Sequence, residues 1–216
     1  MMIDLHMHTL FSDGELIPAE LLRRAEAAGY EAFAITDHVD NSNYDFVVPR
    51  LVMAAQELGE FTNLTIIPGA EITHVPPELI GDLASKIRTL GAKIIVVHGE
   101  TIAEPVAKGT NKSAVNADID IIAHPGLIDD ETCEIAKKKG IHLEITVRKG
   151  HSLTNGHVAS MAKKHGVHLV LNSDTHQCTD LLSKEYATRV LLGAGIEPTQ
   201  IESVFNNSKV IANRFR

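Results

Sequence analysis

The chain has 216 residues, of which 44% are hydrophobic and 22% charged, and its formal net charge is −8. These proportions are typical of a globular protein with one substantial core, and no apolar stretch is long enough to span a bilayer. The acidic balance, the absence of a Lys/Arg stripe and the small number of aromatic residues (three Tyr, six Phe, no Trp) argue against a duplex-binding or single-strand-binding protein.

Seven short apolar runs are predicted to be β-strands, and helical patterns separate them. The runs cover residues 2–5, 32–36, 64–67, 93–97, 119–123, 141–145 and 167–171. Several are apolar without alternation, as in Ile94-Ile95-Val96-Val97. Burial on both faces of a strand is typical of parallel sheets that are covered by helices.

The predicted helices begin at a proline or an N-capping residue and end at a glycine. The four clearest run from Pro18 to Gly29, from Pro77 to Gly91, from Asp129 to Gly140 and from Thr154 to Gly166. Roughly seven strand–helix units in one chain predict a single domain over residues 1–216, with a (β/α)-barrel one unit short of eight. A doubly wound open sheet is the alternative architecture.

Metal-capable side chains follow six of the seven predicted strands. They are His6 and His8, His38, Glu71, His98, His124, and Asp174 with His176, in strand order. A spacing of two places both members of a pair on one face of an extended chain. Barrel enzymes build their sites at the C-terminal ends of the strands, so these groups are expected to converge there. They outnumber the ligands of one tetrahedral ion, which indicates two or three clustered metals.

The ordered motifs resemble those of the PHP (polymerase and histidinol phosphatase) superfamily. They are His-Met-His-Thr at 6–9 with Ser-Asp-Gly at 12–14, Thr-Asp-His at 36–38, Gly-Ala-Glu at 69–71, Val-His-Gly at 97–99, Ala-His-Pro at 123–125 and Ser-Asp-Thr-His at 173–176. The resemblance extends over essentially the whole chain. It implies a distorted, seven-stranded (β/α) barrel of the TIM-like type with a trinuclear zinc, manganese or iron site.

The resemblance also implies which residues hold each metal. The first would be held by His6, His8, Glu71 and Asp174, the second by Glu71, His98 and His124, and the third by His38, His176 and Asp13. Some members of the superfamily have a histidine near the position of Asp13. The residues expected to act directly in catalysis are Asp13, His38, Glu71, Asp174 and His176.

Clustered divalent metals favour hydrolysis of a phosphoester. A carboxylate such as Glu71 can bridge two ions, and ions roughly 3.5–4 Å apart stabilise the attacking and departing oxygens. Metal binding lowers the pKa of water to about 7, so a metal-bound hydroxide can attack phosphorus near neutral pH. No serine or cysteine motif in the sequence indicates a protein nucleophile.

Several residues outside the metal motifs are candidates for roles other than metal binding. In the loop 148–152, Arg148 and His151 are candidates for recognition of the substrate phosphate, with solvated loop residues as the alternative. Glu144 is expected to orient water or a substrate hydroxyl, or to make a structural hydrogen bond. Asp37 is expected to support neighbouring groups, because His38 points the opposite way. No site role is assigned to His74, His142, His157, His165 or His168.

The function predicted on these grounds is hydrolysis of a small phosphomonoester, similar to histidinol phosphate or a nucleotide. The alternatives are a nuclease acting on short oligonucleotides, an amidohydrolase, and a metal-binding module without catalysis. Cys133 and Cys178 lack the spacing of a disulfide or a zinc knuckle, and no leader-like pattern opens the chain. We therefore expect a cytoplasmic protein with no membrane partner, and nothing in the sequence predicts its oligomeric state.

Overall fold

Strands and helices alternate through residues 2–215, which the computed structural model describes. The strands are β1 (Met2–Met7), β2 (Tyr30–Ile35), β3 (His38–Val39), β4 (Thr65–Ile72), β5 (Ile94–His98), β6 (Ile121–Ala123), β7 (His142–Thr146) and β8 (Leu169–Asn172). The helices are α1 (Pro18–Ala27), α2 (Tyr44–Gly59), α3 (Ile80–Thr89), α4 (Thr110–Ala114), α5 (Asp130–Lys139), α6 (Asn155–His165), α7 (Lys184–Gly193) and α8 (Ile201–Ala212).

All strand pairs are parallel, and the sheet is nearly closed. Its order is β1-β2-β4-β5-β6-β7-β8, and the two-residue strand β3 pairs only with the end of β4. Closure occurs beyond the end of β8, where the amide of Asp174 donates to the carbonyl of His6 over 3.0 Å and the amide of His8 donates to the carbonyl of Thr175 over 2.8 Å. This distorted α/β barrel confirms the predicted fold class.

Two apolar clusters hold the barrel together. Alternate residues of the strands, among them Ile94 and Val96, form an inner cluster with Ile211 and Ala212 of α8. The intervening residues, such as Ile95 in β5, pack outward against the helices. Because each fully buried aliphatic side chain contributes about 1.5–3 kcal/mol, both faces of the sheet stabilise the fold, as the continuous apolar runs indicate.

Five predicted strands stop too early: β7 and β8 each continue for one further residue, and the other three extensions involve predicted ligands. β1, β4 and β5 continue to Met7, Ile72 and His98, so that His6, Glu71 and His98 lie on strands instead of following them. In β4 the strand runs through Pro68-Gly69, a pair that is typical of turns. Pro68 is the last β4 residue paired with β2, and its carbonyl accepts from the amide of Lys93 over 2.7 Å. A Cβ on Gly69 would lie 2.4 Å from the Cγ2 atom of Ile94, so only glycine fits there.

The predicted helix signals are partly confirmed. Asp129 caps α5 by accepting from the amide of Thr132 over 2.8 Å, and Gly140 and Gly166 end α5 and α6 with positive φ. The side chain of Thr154 makes no capping hydrogen bond at the start of α6, contrary to the expectation. Four helices, α2, α4, α7 and α8, were not predicted from the sequence; α2 contains Pro49 in its interior.

Two further expectations concern the cysteines and the membrane. Cys133 and Cys178 are both free thiols. Among residues 2–215, no helix combines the length and the hydrophobicity that crossing a bilayer requires.

Candidate metal centre

The predicted ligand side chains meet at the C-terminal mouth of the barrel. They form three groups, which we call the inner, rim and outer clusters. The inner cluster is His6, His8, Glu71 and Asp174; the rim cluster is His8, Asp13, His38 and His176; the outer cluster is His98, His124 and His151. The inner and outer clusters are buried, whereas in the rim cluster Asp13 is exposed and His38 is partly exposed. All nine predicted metal ligands therefore belong to one connected site.

The inner cluster depends on an irregularity in β1. Asp4 pairs with Phe33 and Met7 with Ile35, so three steps along β1 oppose two along β2. This irregularity lies between Asp4 and Met7, so it includes His6 and directly precedes His8. The ring centroids of these two histidines lie 5.0 Å apart. As the spacing predicted, both imidazoles face the same place.

Two carboxylates close the inner cluster. The Nε2 atom of His6 lies 3.4 Å from Oε1 of Glu71, and Nε2 of His8 lies 3.2 Å from Oδ1 of Asp174. Glu71 also reaches Nε2 of His8 through its second oxygen, over 3.7 Å. One carboxylate thus approaches both imidazoles, as a shared metal ligand must.

The rim cluster surrounds the carboxylate of Asp13. Its Oδ1 atom lies 3.1 Å from Nε2 of His176 and 3.4 Å from Nε2 of His38. The ring of His8 is tilted against both of these histidines, at centroid distances of 4.2 Å from His38 and 4.3 Å from His176. Asp13 therefore lies beside both histidines with which the resemblance groups it.

Asp37 holds the loop that carries Asp13. Its Oδ1 atom accepts from the amide of Thr9 over 2.8 Å and from the hydroxyl of Ser12 over 2.7 Å. Its Oδ2 atom accepts from the hydroxyl of Thr9 over 2.7 Å. Asp37 is fully buried and has no direct place among the ligands, in agreement with the supporting role that was expected.

The outer cluster differs from the predicted second metal site. The family resemblance groups His98 and His124 with Glu71, and Nε2 of His124 does lie 3.7 Å from Oε1 of Glu71. However, His151 is an additional member, and its ring stacks on that of His124 with the centroids 4.2 Å apart. His151 was expected only as a phosphate-binding residue. Its ring instead lies directly against predicted metal ligands.

Glu144 lies beneath the inner cluster, on β7. Its Oε2 atom accepts from Nδ1 of His6 and from the side-chain amide of Asn172, each over 2.8 Å. Of the two roles left open for Glu144, the hydrogen bond to a neighbouring side chain is the one observed. Because Nδ1 of His6 is engaged in this way, Nε2 is directed toward the carboxylates.

The backbone is strained at two of the ligands. Within residues 2–215 only His74, His124 and Asp174 have a positive φ without being glycine, with values of 53°, 29° and 57°. Such conformations cost about 1–3 kcal/mol each and persist where the surroundings impose them. All three of these residues line or adjoin the barrel mouth. This concentration is typical of a functional site.

The tautomers of three histidines favour bound cations. The Nδ1 atoms of His6, His98 and His176 face the acceptors of Glu144, the Gly99 carbonyl and the Asp174 carbonyl, respectively. A neutral imidazole that donates from Nδ1 presents a lone pair at Nε2. Each of these Nε2 atoms nevertheless faces a carboxylate oxygen within 3.4 Å. Two lone pairs repel each other unless a proton or a metal cation lies between them.

Unpaired buried atoms support the same conclusion. Buried side-chain atoms of the inner and outer clusters lack a hydrogen-bond partner among the described residues, namely Nε2 of His6, both ring nitrogens of His8, Oε1 of Glu71, Nδ1 of His124 and Oδ1 of Asp174. Each such atom costs about 1–3 kcal/mol if nothing satisfies it. Imidazole nitrogen and carboxylate oxygen are the donor set of zinc, manganese and iron sites, so these residues fit divalent cations.

The protonation of the metal-free site follows from burial and from the neighbouring charges. Burial opposes protonation of His6, yet Glu144 and Glu71 raise the pKa of this imidazole well above its usual value, so the proton it carries is one that a bound metal would replace. Burial opposes ionisation of Glu71 and Asp174, yet the neighbouring histidines, His6 above all, hold the pKa of both carboxyls well below the usual range. Burial lowers the pKa of His8 to about 4, and the charge of His38 acts in the same direction. Burial likewise lowers the pKa of His124. Near neutral pH these four groups are carboxylates and neutral imidazoles, which are the forms that bind metals.

The mouth above the clusters is a small cavity of about 270 Å³. Arg148 and His151 line it, as predicted, and so do His74 and Glu104, to which the sequence analysis assigned no role. The guanidinium of Arg148 lies 3.6 Å from Oδ2 of Asp180 and is partly exposed. The only sequence signal for Glu104 is its place in the loop after β5, on the same side of the barrel as the ligands.

Comparison with known proteins identifies related sequences. The sequence profile of the PHP domain matches residues 4–189. The uncharacterized protein MJ1295 of Methanocaldococcus jannaschii is 48% identical over 205 residues, which cover 94% of each chain.

Solved structures of lower identity share the fold. A chain of an archaeal ribonuclease P complex with mature tRNA superimposes with a TM-score of 0.71 at 18% identity, covering 97% of this chain and 90% of the other. The histidinol phosphate phosphatase of Lactococcus lactis, solved with zinc, L-histidinol and phosphate, superimposes with a TM-score of 0.58 at 16% identity, covering 91% and 94%. At such identities the likeness concerns the fold alone.

Proposed function

This chain belongs to the PHP domain family, and we propose that it is a metal-dependent phosphatase that hydrolyses a small phosphomonoester. It has the fold of PHP-domain phosphoesterases, including a histidinol phosphate phosphatase. The observation that carries the proposal is the convergence of all nine predicted ligands on one mouth, with imidazole nitrogens facing carboxylate oxygens. A structural cluster of hydrogen bonds has no reason to leave so many buried acceptors unpaired.

The clusters indicate which residues would hold each ion. The inner cluster would hold one, the rim cluster a second, and His98 with His124 and Glu71 a third. When bound, divalent cations acidify water to a pKa of about 7 and neutralise the charge on phosphoryl oxygens. Zinc, manganese and iron all suit the mixture of imidazole and carboxylate.

The protein's own residues position the substrate. Arg148 offers a planar pair of donors at the mouth, which suits the oxygens of a phosphate monoester. His151 is held at Nδ1 by the hydroxyl of Thr101 over 2.8 Å, so that its Nε2 atom faces the cavity. In the proposed reaction both side chains contact the phosphoryl oxygens, while Glu71 and Asp174 remain ionised as ligands.

The dimensions of the mouth favour a small substrate. A cavity of about 270 Å³ accommodates a phosphate with a compact organic group, and a polynucleotide would have to remain largely outside it. The tRNA complex among the structural neighbours makes nuclease activity the alternative to test. The same hydrolytic chemistry would apply there to a phosphodiester.

The test combines metal analysis with a substrate panel. Purified protein is loaded with Zn²⁺, Mn²⁺ or Fe²⁺ and assayed on phosphomonoesters, phosphodiesters, short oligonucleotides and amides. The proposal predicts turnover of phosphomonoesters that is lost in His8→Ala and retained in His165→Ala, a histidine that pairs with Asp130 away from the mouth. Preferential turnover of oligonucleotides would establish the nuclease alternative. Bound metal without any turnover would indicate a binding module.

A further inference from the structure

We propose that Glu104 is an additional carboxylate ligand of the metal centre, binding the cation held by His98 from the solvent side. The inference rests on the metal centre proposed above and assigns it a residue outside the nine predicted ligands. Glu104 lies in the loop between β5 and α4, six positions after His98, and it lines the mouth together with the rim cluster.

Three histidines from different segments converge on this carboxylate. The Oε2 atom lies 3.1 Å from Nε2 of His74 and 3.2 Å from Nε2 of His98, and Oε1 lies 3.4 Å from Nε2 of His151. No lysine or arginine within residues 2–215 pairs with Glu104. The environment of the carboxylate therefore consists of metal-capable imidazoles instead of permanently charged side chains.

The orientation of His98 argues for a cation between it and Glu104. The Nδ1 atom of His98 faces the carbonyl of Gly99 over 3.2 Å, and a carbonyl can only accept. The Nε2 atom of neutral His98 is then a lone pair directed at Oε2 of Glu104. Ligand atoms bound to one ion at about 2.0–2.2 Å lie roughly 3–3.5 Å apart, which matches the observed separation.

His74 holds the carboxylate from the other side. Its backbone adopts the left-handed region, with φ of 53°, and this places its imidazole beside that of His98, at a centroid distance of 4.9 Å. His74 and Glu104 are both partly exposed, with 42% and 39% of their side chains accessible. His74 is accordingly a positioning residue for Glu104 at the solvent edge of the centre.

This location has a consequence for substrate binding. A phosphoryl group that enters the mouth must approach the His98 cation from the side that Glu104 occupies. Glu104 is thus expected to strengthen metal binding in the substrate-free protein. When phosphate binds, we expect the phosphate to replace Glu104 at the cation, wholly or partly. Removal of its charge should weaken metal retention without unfolding the barrel, because the residue lies on an exposed loop.

The decisive experiment measures metal binding in the absence of substrate. Wild type, Glu104→Gln and His74→Ala are compared with Glu131→Gln, whose carboxylate pairs with Lys112 on the outer surface. Metal content is determined by mass spectrometry after dialysis, and affinity by competition with a chelator for Zn²⁺ and Mn²⁺. We expect the affinity of one equivalent to fall at least about tenfold in Glu104→Gln, less in His74→Ala, and not in the control.

The outcomes separate this inference from the proposed function. If wild type binds several metals and Glu104→Gln binds them with the same stoichiometry and affinity, Glu104 makes only a hydrogen-bonded ion pair and the inference is wrong. If wild type binds no metal at all, the proposed function itself fails. A circular dichroism melt of each metal-free variant shows whether the barrel remains folded, so that loss of metal is not confused with loss of structure.

Discussion

Glu144 accepts a hydrogen bond from Nδ1 of His6 over 2.8 Å, and both side chains are completely buried beneath the inner cluster. Asn172 donates to the same carboxylate oxygen and also accepts from the amide of Leu5 over 2.9 Å. The ring of His6 is thus aligned by β7 and β8 together. The contact links a strand that provides no predicted metal ligand to the centre of the site.

Replacing Glu144 is expected to weaken metal binding while leaving the ligands in place. Glu144→Ala removes the acceptor of His6 Nδ1, so its Nε2 atom is no longer directed at the carboxylates, and metal affinity should fall about 10- to 100-fold. Glu144→Gln keeps the shape and should have a smaller effect. Chelator competition measures both, with Glu202→Gln on the exposed face of α8 as the control. Unchanged affinity in Glu144→Ala would mean that His6 is oriented by its packing alone.

Asp37→Ala should destabilise the protein and displace the rim cluster. The change leaves the amide and hydroxyl of Thr9 and the hydroxyl of Ser12 without their acceptor. An unsatisfied buried donor costs about 1–3 kcal/mol, and urea denaturation should show at least this loss. Asp40→Ala removes a carboxylate that accepts from exposed Ser42, so its cost should be about 1 kcal/mol or less. Equal losses in the two variants would contradict the anchoring role of Asp37.

Gly126→Ala should be much more damaging than Gly140→Ala. Both glycines have φ in the left-handed region, at 64° and 73°, which costs an alanine about 1–2 kcal/mol. A Cβ on Gly126 would also overlap the carbonyl of Glu100, at 1.7 Å, whereas nothing lies within 4 Å at Gly140. The difference in unfolding free energy between the two variants measures this overlap. Comparable stabilities would show that the loops after β5 and β6 can separate at little cost.

Protonation of His142 should reduce stability in acid. Burial lowers its pKa to about 4, and the charges of His168 and Arg214 act in the same direction. The unfolded chain, with a pKa near 6.5, therefore binds this proton more readily, so the contribution is complete above pH 6.5 and is lost as the pH falls toward 4. The full shift corresponds to ~3 kcal/mol.

Urea denaturation of metal-free protein at several pH values measures this effect. In His142→Gln the dependence between pH 4 and 6.5 should be shallower than in wild type. The other buried histidines contribute equally to both proteins, so the difference belongs to His142. Parallel pH profiles would contradict the assignment.

Arg148→Ala should impair recognition of the phosphate in the proposed reaction. Loss of a charge-assisted hydrogen bond costs about 1.5–3 kcal/mol, which corresponds to a rise in KM of roughly 10- to 100-fold. Arg148→Lys should restore only part of this, because an ammonium cannot make the planar, two-donor contact. Steady-state kinetics on the best phosphomonoester of the panel provides the measurement, with Lys149→Ala as the control. A KM that does not change in Arg148→Ala would remove this residue from the site.

The barrel and the ligand positions were predictable because both depend on local patterns. Apolar runs without alternation specify buried parallel strands, and the C-terminal ends of such strands meet at one mouth, which brings His6, Glu71 and His98 together. The course of β4 was not predictable in this way. Pro68-Gly69 is typical of a turn, but pairing of Pro68 with Ile35 and of Gly69 with Ile94 keeps the chain extended there, and the close approach of Ile94 requires the glycine.

The residues at the outer edge of the site could not be predicted from local sequence patterns. Glu104 and His74 are brought to the mouth by two loops whose conformations depend on contacts distant in sequence, such as that of Thr101 with His151. The helix α2 was overlooked for a related reason, because Pro49 interrupts the expected pattern while the buried face of Val47, Val48 and Leu51 holds the helix to the barrel. Tertiary packing decides both cases.

The barrel closes where the amide of Asp174 donates to the carbonyl of His6, so the site requires both ends of the sequence. Ligands from the first strand can be completed only by residues that leave the ribosome more than 160 positions later, as the separation of the hydrogen-bonded pair Leu5 and Asn172 illustrates. A chain that ends before residue 174 therefore lacks Asp174, one of the two carboxylates that face His6 and His8. In the proposed metal centre the full set of ions could bind only after synthesis, and truncation before residue 174 should leave the inner cluster incomplete however well the remaining strands fold.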